Sequence, residues 1–256
     1  ENATTHSRLI IGLDVSSDNQ RLVTASLDKT AYVWDVKSGR LLSPVLKHDV
    51  FTWWAKFSHD NAKIITSTDN NSISIWDSIT GKIITPPFFA DDTIMDVNFT
   101  MDGERVVAGL LNGKCHEWDI LSGRPIETEL NHDSQINSVF VSDKDDMLLT
   151  ADVSGVIKKW SKENSYLKPE VLNTGIRVES VKVVEDGNKI AALYAYGIER
   201  WRGVEIWDKS TMRKTYSYFF DQKSADKAVT SVDISLDGRF VSYSNEGNYE
   251  LKIIDL

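Results

Sequence analysis

Few residues in this chain have the type and spacing to do chemistry. Five histidines and a single cysteine, Cys115, are present, and they show no metal-ligand spacing. Cys115 falls in a repeating column that reads Ala31, Ile73, Cys115, Ile157, Val204 and Leu251. Every other member is apolar, so a core thiol is expected and not a nucleophile. The Asp-Gly pairs Asp102-Gly103, Asp186-Gly187 and Asp237-Gly238 recur at one place in different repeats, which reads as a hairpin turn and not as paired carboxylates. No glycine-rich phosphate loop or nucleophile elbow is present. The expectation is a protein with no catalytic, cofactor-binding or metal-binding residue, and therefore not an enzyme.

Composition narrows the remaining classes. The 256 residues carry 38 acidic against 29 basic side chains, a formal charge of −9. With no basic block, binding to nucleic acid is not expected, because affinity for the phosphate backbone comes from Lys and Arg. No apolar run approaches the ~18–20 residues that span a bilayer, so no membrane association is expected. The start, ENATTHSR, lacks the layout of a secretory leader. One cysteine cannot form an internal bridge, which points to a reducing compartment, the cytoplasm first and the nucleus left open. The length suits one domain over residues 1–256 if the fold is a closed all-β one.

The elements that position these residues are set by a repeat. Trp-Asp occurs at Trp34-Asp35, Trp76-Asp77, Trp118-Asp119 and Trp207-Asp208, with Trp160-Ser161 and Ile254-Asp255 as degenerate forms. Trp34, Trp76, Trp118 and Trp160 are each 42 residues apart, and the next two steps lengthen to 47. Each unit opens with apolar alternation at period two: Leu13/Val15, Ala55/Phe57, Val97/Phe99, Val139/Val141, Val181/Val183 and Val232/Ile234. A turn rich in Asp, Asn and Gly follows, then a second apolar run, a third strand carrying the tryptophan, and a more polar fourth.

Six such units resemble the tryptophan–aspartate (WD) repeat β-propeller family, whose unit is ~40–45 residues. The resemblance covers essentially the whole chain. It implies an all-β propeller of six four-stranded antiparallel blades around a central channel, the alternative being a segment of a longer or seven-bladed array. The repeats then run over residues 6–47, 48–89, 90–131, 132–173, 174–224 and 225–256, with 1–5 completing the last blade. The resemblance also implies structural roles for Trp34, Trp76, Trp118, Trp160 and Trp207, and for His6, His48 and His132. In the family such a histidine joins a buried hydrogen-bond network that reaches the tryptophan through a Ser/Thr and an Asp. Here the network reads as eroded. Ala90, Thr174 and Ala225 replace the histidine, and only Asp28 keeps the acid six residues before the tryptophan, with Asn70, Asn112 and Ser154 in its place later.

Function is expected at the propeller's loops. In a meander, the turns between second and third strands share one end, here called the top, with the connections between blades. The residues entering each first strand read Leu9/Ile11, Phe51/Trp53, Thr93/Met95, Gln135/Asn137, Arg177/Glu179 and Ala228/Thr230. With Leu27 and Leu111 from the second turns, Leu9, Ile11, Phe51, Trp53 and Met95 make an apolar arc over three blades, the expected surface for a partner protein, peptide or flanking domain. Trp54 is expected to pack between blades. A second candidate is a basic corner for phosphorylated or acidic motifs, from Arg177, Arg200, Trp201, Arg202, Lys223 and Lys227. A propeller enzyme is the minor alternative. Pro-containing fourth strands resemble modules attached to larger signalling proteins. Glu117 and Lys159, which interrupt an otherwise apolar column in adjacent blades, read as an ion pair between blades or as solvated edges.

Closure is expected through residues 1–5 pairing beside Lys252–Leu256. Deleting residues 1–8 should therefore lower the melting temperature markedly in a thermal scan, and an unchanged melting point would contradict closure by this route.

Overall fold

The apolar alternation and turn signals resolve into strands at nearly every expected place. The structure, a computed structural model, describes residues 5–42, 44–126, 130–142, 147–161, 168–184, 187–194, 203–219, 229–235, 237–245 and 251–256. All regular structure among them is β, in antiparallel meanders. Among the described residues, no helix is long and apolar enough to cross a membrane. The chain forms two compact units, residues 1–131 and 132–256.

The first unit holds three four-stranded sheets. Sheet one is β1 (Ile10–Val15), β2 (Arg21–Ser26), β3 (Thr30–Asp35) and β4 (Leu46–Lys47); sheet two is β5 (Thr52–Phe57), β6 (Lys63–Thr68), β7 (Ser72–Asp77) and β8 (Ile83–Phe89). Sheet three is β9 (Ile94–Phe99), β10 (Arg105–Leu110), β11 (Cys115–Asp119) and β12 (Pro125–Ile126). The second unit repeats the plan. It contains β13 (Ile136–Val141), β14 (Met147–Asp152), β15 (Val156–Ser161) and β16 (Glu170–Asn173), then β17 (Ser180–Val184), β18 (Lys189–Tyr194), β19 (Gly203–Asp208) and β20 (Arg213–Phe219). Its last sheet has three described strands, β21 (Val229–Ile234), β22 (Phe240–Asn245) and β23 (Leu251–Asp255). Of residues 1–5, expected to complete it, 1–4 lie outside the described residues.

Turn chemistry explains why the meanders are so regular. Between first and second strands, a Ser or Thr hydroxyl donates to an Asp two residues on: Ser16 to Asp18, Ser58 to Asp60, Thr100 to Asp102 and Ser235 to Asp237, at 2.5–2.6 Å. The next residue takes a positive φ, at Asn19, Asn61, Gly103 and Gly238, where Asn and Gly are least strained. The Asp of each Trp-Asp caps the following turn instead. Asp35 accepts from the Ser38 amide at 2.7 Å, Asp77 from Thr80 at 2.7 Å and Asp119 from Ser122 at 2.8 Å. Side-chain and backbone donors hold all three carboxyls below their usual range.

Within the first unit, each sheet covers the next. Val23, Ala25, Ala31, Val33 and Leu46 of sheet one pack with Ala55, Phe57, Ile64 and Trp76 of sheet two. The other face of sheet two, with Ile65, Ile73 and Ile75, packs on Val97, Phe99, Val106 and Trp118 of sheet three. Trp54 joins this second core as a half-buried ring. Polar stitches cross the same interfaces. Asp14 accepts the Phe57 amide at 2.8 Å, and Lys56 pairs with Asp96 at 2.6 Å. In the second unit, Leu149, Ile157 and Leu172 pack on Val181, Val183 and Ile190, while Ala191, Val204 and Ile206 pack on Ile234 and Val241.

Two expectations change. Leu13 and Val15 sit in the column that is buried as Ala55/Phe57 and Val97/Phe99, yet they are 63% and 45% exposed. Period-two alternation reports which face a side chain takes, not whether a sheet covers that face. Glu117 and Lys159 each find a partner within their own sheet. Glu117 is buried against Arg105 of its own sheet at 2.8 Å, and Lys159 bonds Glu170 at 2.8 Å. A charge buried beside its cross-strand neighbour has no need of a partner on another sheet.

Sheet one comes close to sheet two at Gly12, where an added Cβ would lie 2.6 Å from the Trp53 carbonyl oxygen. Gly12→Ala should therefore destabilise the protein by about 1–3 kcal/mol in urea unfolding, the range for overpacking. No change would show that the two strands can part without cost.

Candidate functional site

The first strand of each sheet carries one residue too many. In sheet one, Ile10 faces Ser26 and Gly12 faces Ala25, so Ile11 has no partner across the ladder. Trp53, Met95, Asn137 and Thr230 are skipped in the same way. In the fifth sheet the Glu179 amide bonds Leu193 O at 2.9 Å, the residue that Ser180 already faces. These are β-bulges, which bend the strand and re-aim the side chain of the extra residue. Three of them, Ile11, Trp53 and Met95, are arc residues. The bulge is why large apolar groups stand at the strand's end and do not alternate into the core.

The rest of the arc is placed by one repeated backbone bond. The residue after the second strand donates to the residue two before the bulge: Leu27 to Leu9 O at 3.0 Å, Asp69 to Phe51 O at 2.9 Å and Leu111 to Thr93 O at 2.9 Å. Second-turn and strand-entry residues are thereby tied together in each of the three sheets. Leu9 is 70% exposed, Leu111 44%, Ile11 39% and Trp53 36%, while Leu27, Phe51 and Met95 are half-buried. Trp53 Nε1 donates to Asp69 Oδ1 at 3.1 Å, and the Arg8 guanidinium lies 5.7 Å from the Phe51 ring centre. The two rings are thus held in place while Trp53 stays partly open to solvent. Sequence reasoning missed a second set of open apolar residues at the opposite end. Ile79 and Leu121, at the same position of the turns after β7 and β11, are 75% and 94% exposed.

Beneath the arc, the histidine networks differ sheet by sheet. In sheet one, His6 bonds Asp28 at 2.9 Å and Thr24 at 2.7 Å, and Trp34 donates to the same Thr24 hydroxyl at 2.9 Å. His132 repeats this with Asp152 and Thr150, both at 2.7 Å, and Trp160 donates to Thr150 at 2.8 Å. Its acid therefore comes from Asp152, eight residues before the tryptophan. Ser154, at the expected place, donates its hydroxyl to Asp152 at 2.6 Å. Burial works to raise the Asp152 carboxyl, but Ser154, the Val156 amide and His132 together hold it below its usual range. Burial also lowers the basicity of His132, against the pull of Asp152. In sheet two, Trp76 donates to Thr66 at 2.8 Å, but the buried Nε2 of His48 has no hydrogen-bond partner.

Where the histidine is absent, the threonine is absent too. Ala108 and Ala192 occupy the column of Thr24, Thr66 and Thr150. Sheet three compensates with stacking, Phe88 lying 5.6 Å from Trp118 at 29°. In the fifth sheet Tyr194 donates to buried Glu205 at 2.8 Å, and Lys214 closes on that carboxylate at 2.7 Å. The Trp207 indole nitrogen there is buried without a partner. That co-occurrence of His and Thr, ten residues before the tryptophan, was the available signal for the acceptors.

Of the basic corner, only Arg177 lies among the described residues, 3.5 Å from Glu179. Arg200, Trp201, Arg202, Lys223 and Lys227 lie outside them. No group of three or more His, Cys, Asp or Glu suited to a metal ion occurs among the described residues. Cys115 is fully buried, and burial pushes its thiol well above the usual range, as suits a core group.

Thr150→Val removes the hydroxyl that bonds both His132 and Trp160, so about 2–4 kcal/mol of stability should be lost in chemical denaturation. Thr66→Val strands only Trp76 and should cost roughly half as much. Equal losses would mean that the histidine bond contributes nothing.

The family model described as WD domain, G-beta repeat matches residues 2–35. A search of curated proteins found no match to the chain. The matched segment contains the first three strands of sheet one, and its strand order, turn caps and tryptophan column recur in the sheets that follow. The chain is therefore similar to WD-repeat proteins over residues 2–35, and its later sheets repeat the same antiparallel meander.

Proposed function

We propose that this protein is a non-enzymatic platform that binds a partner protein or peptide through the top arc of Leu9, Ile11, Leu27, Phe51, Trp53, Met95 and Leu111. WD-repeat propellers are typically protein-interaction scaffolds and are generally non-enzymatic. The observation that carries the reading is the bulge at Ile11, Trp53 and Met95, which turns large apolar side chains outward in three successive sheets. Turning such groups to water costs about 25 cal/mol per Å² of apolar surface that a partner would cover. Aromatic groups held in place on a rigid frame are the usual anchors of an interface. We further place the protein in a reducing compartment, on the ground of its single cysteine.

The test is quantitative capture of the partner followed by titration of the purified pair. Trp53→Ala should weaken binding at least tenfold, about 1.4 kcal/mol, with little change in melting temperature. A variant that melts early and still binds would make Trp53 a packing residue and move the contact surface elsewhere, to Ile79 and Leu121 first.

A further inference from the structure

His48 occupies an unusual position. Its amide donates to Lys29 O of sheet one at 2.9 Å, while its ring lies 5.3 Å from Trp76 of sheet two, edge to face at 82°. Three residues later the chain reaches Phe51, and five residues later Trp53. The counterpart in sheet one, His6, is clamped by the Asp28 carboxylate. Sheet two has Asn70 in the place of Asp28, and that side chain is already engaged by the Thr68 hydroxyl at 2.7 Å. In sheet one that carboxylate holds Nδ1 of His6, and Nε2 is held by Thr24; in sheet two the His48 Nε2 is buried with no hydrogen-bond partner. The ring beside it from β7, Trp76, is neutral, and the charged group acting on it is its own neighbour, Asp49.

We propose that His48 is a proton-operated latch on the segment entering β5, so that acidification loosens the stretch carrying Phe51 and Trp53 ahead of the matching stretch of sheet one. A proton on Nε2 would be a buried N–H and a buried charge with nothing to receive either. In an opened segment the ring is in water and takes the proton freely. The consequence for binding rests on the reading of the arc as the contact surface; the latch itself does not.

The sign follows from linkage. Burial lowers the folded-state value of His48 from 6.5 to about 4, with Asp49 opposing. Between those values the opened form holds more protons than the closed one, so closure is fully stabilised above pH 6.5 and weakens as pH falls. From pH 7 to pH 5 the opening equilibrium should rise roughly 20-fold.

Hydrogen exchange on the free protein, corrected for intrinsic rates, tests this without any partner. Amides of residues 49–53 should lose roughly 20-fold in protection between pH 7 and pH 5, while residues 7–11 of sheet one hold theirs. Asn70→Asp, which installs the missing carboxylate, should abolish the loss, and His48→Gln should remove the pH dependence altogether. Equal behaviour of the two segments, or an unchanged response in Asn70→Asp, would overturn the latch. Neither result would bear on whether Trp53 contacts a partner, which the binding titration decides separately.

Discussion

Sheet two in this protein is apolar on both faces, and only another sheet can cover such a face. That constraint governs the rest of the structure. In the first unit it places the aliphatic columns of sheet one on Phe57 and Trp76, and those of sheet two on Phe99 and Trp118. Once both faces are committed to packing, the meander has freedom left only at its two ends. Variation between repeats collects there, while Ala, Val, Ile and Leu recur in the middle of the strands.

The bulge is what turns that freedom into a surface. An antiparallel ladder that alternated without interruption would send Ile11, Trp53 and Met95 back toward a core face. One unpaired residue per first strand breaks the alternation and aims these side chains past the edge of the sheet. The same bulge in the fourth sheet carries Asn137, whose amide donates to Val178 O at 3.1 Å. One backbone device therefore serves polar stitching in one unit and apolar display in the other, according to the residue placed on it. The histidine networks below act on the same segments, since His6 and His48 begin the stretches that lead to Leu9 and Phe51. Anchoring and display are consecutive along the chain.

Much of this was legible in the sequence. The 42-residue step, the Asp and Gly of the first turns and the tryptophan column located nearly every strand, because each rests on local chemistry. The arc was legible as a set of columns that vary while their neighbours do not. What the letters did not carry was geometry with no compositional mark. A bulge adds a residue without requiring glycine or proline, as Ile11, Trp53 and Met95 show. The acid for His132 moved two residues along a turn to Asp152, which a fixed column could not follow. The Glu117–Arg105 pair and the Tyr194–Glu205–Lys214 network are cross-strand contacts, set by register that the sequence specifies only through the turns. The exposure of Leu13 and Val15 depends on what lies opposite the sheet, which no pattern within the repeat reports.

The most direct measurement is site-specific photo-crosslinking of the full chain to its purified partner, with the reactive side chain placed in turn at position 53 and at position 121. These positions lie at opposite ends of the meander, and both are accessible. Adduct from position 53 alone, suppressed by excess unlabelled protein, is the predicted result. Adduct from position 121 with none from position 53 would contradict the assignment of the bulged end as the contact surface.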